Sequence, residues 1–199
     1  MKKLKGSLLF ITLILISTVS FSYNSDPKIF IKELVDDAIV TLSDKNISIS
    51  DKKKKIEIIA LENVDINALS MYTLGGIRKT LDNETLQPYK KLFEKYLLKS
   101  LTSRLTDYSK NKFEVISADQ KSEVYTIVIS KILESSSQPE IKINWRVYTK
   151  DSNKPLIRDL IVEGLSLAKT QREEFASILN SNKNDINILF EKLEEFIND

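Results

Sequence analysis

The sequence predicts an α+β fold: helices first, then a four-stranded antiparallel sheet, then helices again. Three observations carry this reading. Helical apolar periodicity runs over residues 26–108, a block rich in Ile, Val and Tyr with polar turns follows over 113–162, and helical spacing returns after residue 170.

Taken in order, Asp26 is a candidate cap and Pro27 suits a first turn, with Phe30, Leu34, Ala38 and Leu42 on one face. Ser50 and Asp51 open a second helix whose stripe is Ile56, Ile59, Ala60 and Val64. Asp65 caps a third, which presents Leu69 and Leu74 before the Gly75-Gly76 pair. From Asp82 or Asn83 the longest helix follows, with Leu86, Tyr89, Phe93, Leu97, Leu101, Leu105 and Tyr108 in line and Pro88 tolerated in its first turn.

Residues 113–118, 124–134, 141–150 and 156–162 read as strands. In the third, Ile141, Ile143, Trp145 and Val147 alternate with Lys142, Asn144, Arg146 and Tyr148, so one face is apolar. In the second, Tyr125, Ile127 and Ile129 oppose Val124, Thr126 and Val128, and both faces are apolar enough to be covered. Short connections such as 151–153 favour a meander. Thr170 and Glu173 match a capping box ahead of Phe175, Ile178 and Leu179, and a last amphipathic helix carries Ile186, Leu189, Leu193 and Phe196 or Ile197.

The 199 residues contain no cysteine and no histidine, which excludes disulfides, thiol catalysis and Cys/His zinc sites, and removes the usual general base near neutral pH. Lys2, Lys3 and Lys5, the apolar stretch 8–19, and Ser20 and Ser22 spaced before a junction read as a signal peptide over 1–22. A single domain over 23–199 is then expected. Without the leader there are 27 basic and 28 acidic residues, so no basic face for nucleic acid is expected.

The stretch Asp159, Leu160, Ile161, Val162, Glu163, Gly164, Leu165, Ser166, Leu167, followed by Arg172 and Phe175, is the most specific in the chain. With Asn63-Val64-Asp65-Ile66, Leu74-Gly75, and Tyr89, Phe93 and Leu97, it resembles the signature of the MlaC, or toluene-tolerance auxiliary, family of periplasmic phospholipid-binding proteins. The resemblance implies a fold enclosing an apolar lipid cavity and a carrier of phospholipid across the periplasm. It also implies an inner-membrane ABC transporter complex with an MCE component and an outer-membrane lipoprotein complex as partners, and a role in outer-membrane lipid asymmetry.

Candidate lipid-contacting residues are Leu74, Phe93, Leu97, Ile127, Ile129, Ile143, Trp145, Val147 and Val162. No catalytic residue, metal or cofactor is expected. Asp159 and Glu163 have the types of an acid/base pair, but no nucleophile motif accompanies them, and a structural hydrogen-bonding role fits better. Gly164 is expected to turn the chain out of its strand. The alternative reading is a lipid-independent periplasmic adaptor with the same core closed.

Overall fold

The structure, a computed structural model, describes residues 23–103, 112–134 and 139–199. The expected leader, the end of the long helix at Leu105 and Tyr108, and residues 135–138 between the second and third strands lie outside the described residues. Helices α1 (Pro27–Ser43), α2 (Ile49–Asn63), α3 (Ile66–Thr73) and α4 (Asn83–Ser103) come first, with a 3-10 turn at Ile77–Lys79. Strands β1 (Phe113–Ser122), β2 (Tyr125–Ile132), β3 (Ile141–Tyr148), β4 (Leu156–Val162) and β5 (Leu165–Ser166) follow, then α5 (Leu167–Ser181) and α6 (Ile186–Asn198). Among the described residues no helix is long and apolar enough to cross a membrane.

The α+β class holds, and the strands form an antiparallel meander in the order β1-β2-β3-β4-β5. The sheet has five strands, one more than expected. Glu163 and Gly164, with φ of 48° and 84°, make a two-residue connection that pairs Val162 with Leu165. Positive φ at both positions is what a type I′ hairpin requires, and glycine meets it without strain.

Helix starts follow local chemistry. Asp26 accepts from the backbone N–H groups of Lys28 and Ile29, and Ser48, two residues before the expected Ser50, caps α2 by accepting from Asp51. Helix α5 also begins earlier than expected. Ser166 caps it, Asp159 accepts the Ala168 N–H, and Thr170 lies inside the first turn, bonded through its hydroxyl to the Ser166 carbonyl. Two acceptors at the first turn outcompete the box at Thr170.

Two apolar cores result. One joins α3, α4, α5 and α6 through Leu74, Tyr89, Phe93, Phe175, Leu179, Leu189 and Leu193. The other joins α1 to the sheet through Phe30, Ile31, Leu34, Val128, Val147 and Ile157. A bulge interrupts the regular alternation of β4. Arg146 pairs with Asp159 while Val147 pairs with Ile157, so Arg158 is an extra residue in the ladder. Ile157 and Leu160 therefore both face α1 and α2, and the charged residues Arg158 and Asp159 between them both leave by the other face.

Candidate functional site

Between the inner face of the sheet and helices α1 and α2 lies a cavity of about 370 Å³, within the ~300–1,000 Å³ usual for small-molecule sites. One wall is α1, where Leu34, Val35, Ala38, Ile39 and Leu42 fall on adjacent turns of one stripe. A second is α2, with Ile56, Ile59 and Ala60, and with Val64 at its C-terminal cap. The sheet supplies Phe113, Ile132, Ile141, Ile143, Trp145, Ile157, Leu160 and Val162, and α4 contributes Leu101 near its end. All of these side chains are apolar.

Their register explains the wall. Val128 pairs with Trp145 and Trp145 with Leu160, while Ser130 pairs with Ile143 and Ile143 with Val162, so rows of inward residues cross three strands. Trp145 carries the one polar side-chain atom of the lining, and that atom is paired. Its indole N–H donates to Ser130 Oγ at 2.8 Å, and the Ser130 hydroxyl donates to the Ile143 carbonyl at 2.9 Å. The bond holds the ring against Phe113, edge to face at 6.2 Å, and no unpaired donor faces the cavity from it.

The nine residues singled out from the sequence divide into groups. Ile143, Trp145 and Val162 line the cavity together. Val147 shares their face but is fully buried one step deeper, packed in the core with Phe30, Ile31 and Val128. Leu74, Phe93 and Leu97 belong instead to the helical core, because α4 lays that stripe against α5 and α6. Ile127 and Ile129 pair with Arg146 and Asn144 and so occupy the opposite face of the sheet. The faces of β2 were ambiguous in sequence, and the inward set is Thr126, Val128, Ser130 and Ile132.

What sequence reasoning missed as site residues is the helical wall. Leu34, Ala38, Leu42, Ile56, Ile59, Ala60 and Val64 were legible as stripes, but no sequence signal set α1 and α2 apart from α3 and α4, which also precede the sheet. Lys52, in the first turn of α2, ties that helix to the end of α1 by donating from Nζ to the Leu42 carbonyl at 2.6 Å.

Asp159 is buried and held by hydrogen bonds within the protein. Its oxygens accept from Ser166 Oγ at 2.6 Å and from the Ala168 N–H at 3.0 Å, with Arg146 Nη1 at 3.5 Å. Glu163 accepts the Lys142 N–H. The segments that carry the sequence signature meet in space. Arg172 lies across Gly75, whose φ is 59° and where an added Cβ would sit 3.2 Å from the guanidinium Nε, and Leu74 packs in one core with Phe175.

The class defined by this fold and site is a small α+β protein with a partly open apolar cavity between an antiparallel sheet and its N-terminal helices. The family described as MlaC protein matches residues 32–195, and the chain belongs to it. A solved structure of a phospholipid-binding protein from Ralstonia solanacearum, in complex with a phospholipid, is similar with a TM-score of 0.73. It is 16% identical, the likeness covering 87% of this chain and 97% of that one, and at this identity it speaks for the fold. No curated protein matches the chain in sequence.

Proposed function

We propose that this protein is a phospholipid carrier, not an enzyme, and that it holds the acyl chains of its lipid in the cavity between the sheet, α1 and α2. The observation that carries the reading is the cavity itself, about 370 Å³ walled by apolar side chains from α1, α2, α4 and four strands. Each buried methylene contributes about 0.8 kcal/mol, so two acyl chains represent on the order of 20 kcal/mol of apolar transfer free energy. Holding them asks for enclosure and for no reactive group. Family membership supports the same reading, and so does the phospholipid in the similar Ralstonia protein.

In this function the leader at 1–22 directs export to the periplasm and is removed. The carrier then shuttles phospholipid between an outer-membrane lipoprotein complex and an inner-membrane ABC transporter complex with its MCE component, and so maintains lipid asymmetry. Organic-solvent extraction of purified protein, followed by mass spectrometry, tests the proposal. Phospholipid in stoichiometric amount is the expected result, from a chain beginning at Tyr23. Protein that yields no lipid, even after incubation with phospholipid vesicles, would overturn the carrier function in favour of the adaptor.

A further inference from the structure

The outer face of the sheet holds a second pocket, whose lining mixes arginine and tyrosine polar groups with apolar side chains. It has a volume of about 250 Å³ and is lined by Ala68, Leu69 and Tyr72 of α3, Tyr125 of β2, Arg146, Arg158 and Ala168. The β4 bulge creates it by sending Arg158 and Asp159 out on the same side. We propose that this pocket is a binding site for a small organic phosphate, separate from the lipid cavity.

The argument is an accounting of donors and acceptors. Both carboxylates at the pocket are spent within the protein. Asp65 accepts from the Ala68 N–H through Oδ1 and from Arg158 Nε and Nη2 through Oδ2, at 2.7–3.0 Å. Asp159 is engaged by Ser166, Ala168 and Arg146. Arg158 is committed too. Its third nitrogen donates to the Tyr125 hydroxyl at 2.7 Å, and its carbon lies 3.3 Å from the Tyr148 ring centroid.

Donors remain. The Tyr125 hydroxyl accepts from Arg158, and its own proton stays available to a ligand. Arg146 is 43% exposed, and its one polar side-chain contact among the described residues is the 3.5 Å approach to Asp159, which leaves most of its N–H fork uncommitted. One turn along α5 from Ala168, the Arg172 guanidinium stacks 5.1 Å from the centroid of Tyr72, which lines the pocket. Arg146 and Arg158 balance Asp65 and Asp159, and Arg172 is a further cation stacked on the pocket's Tyr72. A guanidinium fork beside a phenol donor suits phosphate oxygens. The volume exceeds what a bare phosphate fills, and Ala68, Leu69 and the tyrosine rings offer an apolar wall for an organic remainder.

Two sources share this chemistry: a detached lipid headgroup and a free phosphate metabolite. Calorimetric titration of the full chain, as purified with any lipid it carries and at constant ionic strength, uses glycerophosphoethanolamine and inorganic phosphate as probes. Saturable one-site binding of at least one probe is expected. Arg146→Gln and Arg172→Gln should each weaken it about tenfold or more, with lipid content unchanged and a cooperative melt retained. Tighter binding of the diester assigns the pocket to headgroups, and tighter binding of inorganic phosphate assigns it to free phosphates. Heats that never saturate with either probe, or equal affinity in the parent and both variants, would overturn the site. Lipid content is read separately, so lipid-free protein that still binds phosphate would count against the carrier function alone.

Discussion

Filling the cavity with an indole separates a space kept for ligand from a packed core. Ala38 stands at the middle of the α1 wall, half-buried and facing the cavity. Ala38→Trp places in that space a ring system that covers about 200 Å² of apolar surface. At about 25 cal/mol per Å², that surface is worth roughly 5 kcal/mol, the equivalent of about six acyl methylenes. Methylenes displaced to water weaken lipid retention by the same amount, a factor of more than about a thousand. Fold stability should not fall, because the indole occupies volume that side chains leave empty. The contrasting variant is Val147→Trp, where the parent residue is fully buried among Phe30, Ile31 and Val128. Overpacking there should cost about 1–3 kcal/mol or more. Lipid extraction and urea denaturation of both variants are the assays. Ala38→Trp protein that is stable and still carries a full complement of lipid would refute the reasoning, and so would Ala38→Trp protein as unstable as Val147→Trp.

Two further outcomes bear on the frame around the cavity. Gly164→Val should lose about 1–2 kcal/mol in chemical denaturation through backbone strain alone, since φ is 84° and an added Cβ meets nothing within 4 Å. An unchanged midpoint would remove the turn argument. Ser130→Ala should cost about 1–3 kcal/mol by stranding the Trp145 indole N–H, whereas the same change at exposed Ser152 should be nearly silent in thermal melting.

The order of elements was legible because each block has its own period. β3 was the clearest case, since strict alternation left no choice of face, and Ile143 and Trp145 lie on the cavity side of the sheet. β2 offered no such contrast. Ile127 and Ile129 are as apolar as Val128 and Ile132, and only pairing with Arg146 and Asn144 decides which set faces inward. The long stripe through Phe93 and Leu97 misled for another reason. An apolar stripe states that something covers it, and whether that is another helix or an empty volume depends on residues far away in sequence, here α5 and α6. The β4 bulge did leave a trace. Ile157 and Leu160 are three apart where alternation wants two or four, with two charges between them, which is how an inserted residue looks in a strand. Ser166 and Thr170 were competing caps, and the Asp159 acceptor that decided between them lies on a different element.

Trp145 is the only tryptophan in the chain, and it stands in the cavity wall with its N–H tied to Ser130. The protein thus has a native optical sensor of its own interior. Indole emission moves to longer wavelength as its surroundings become more polar, and the fixed hydrogen bond keeps the chromophore's orientation and donor state constant while the contents of the cavity change. Loading and unloading would then be read as a wavelength shift in unlabelled protein, in real time and in the presence of membranes, with no second tryptophan to confuse the signal.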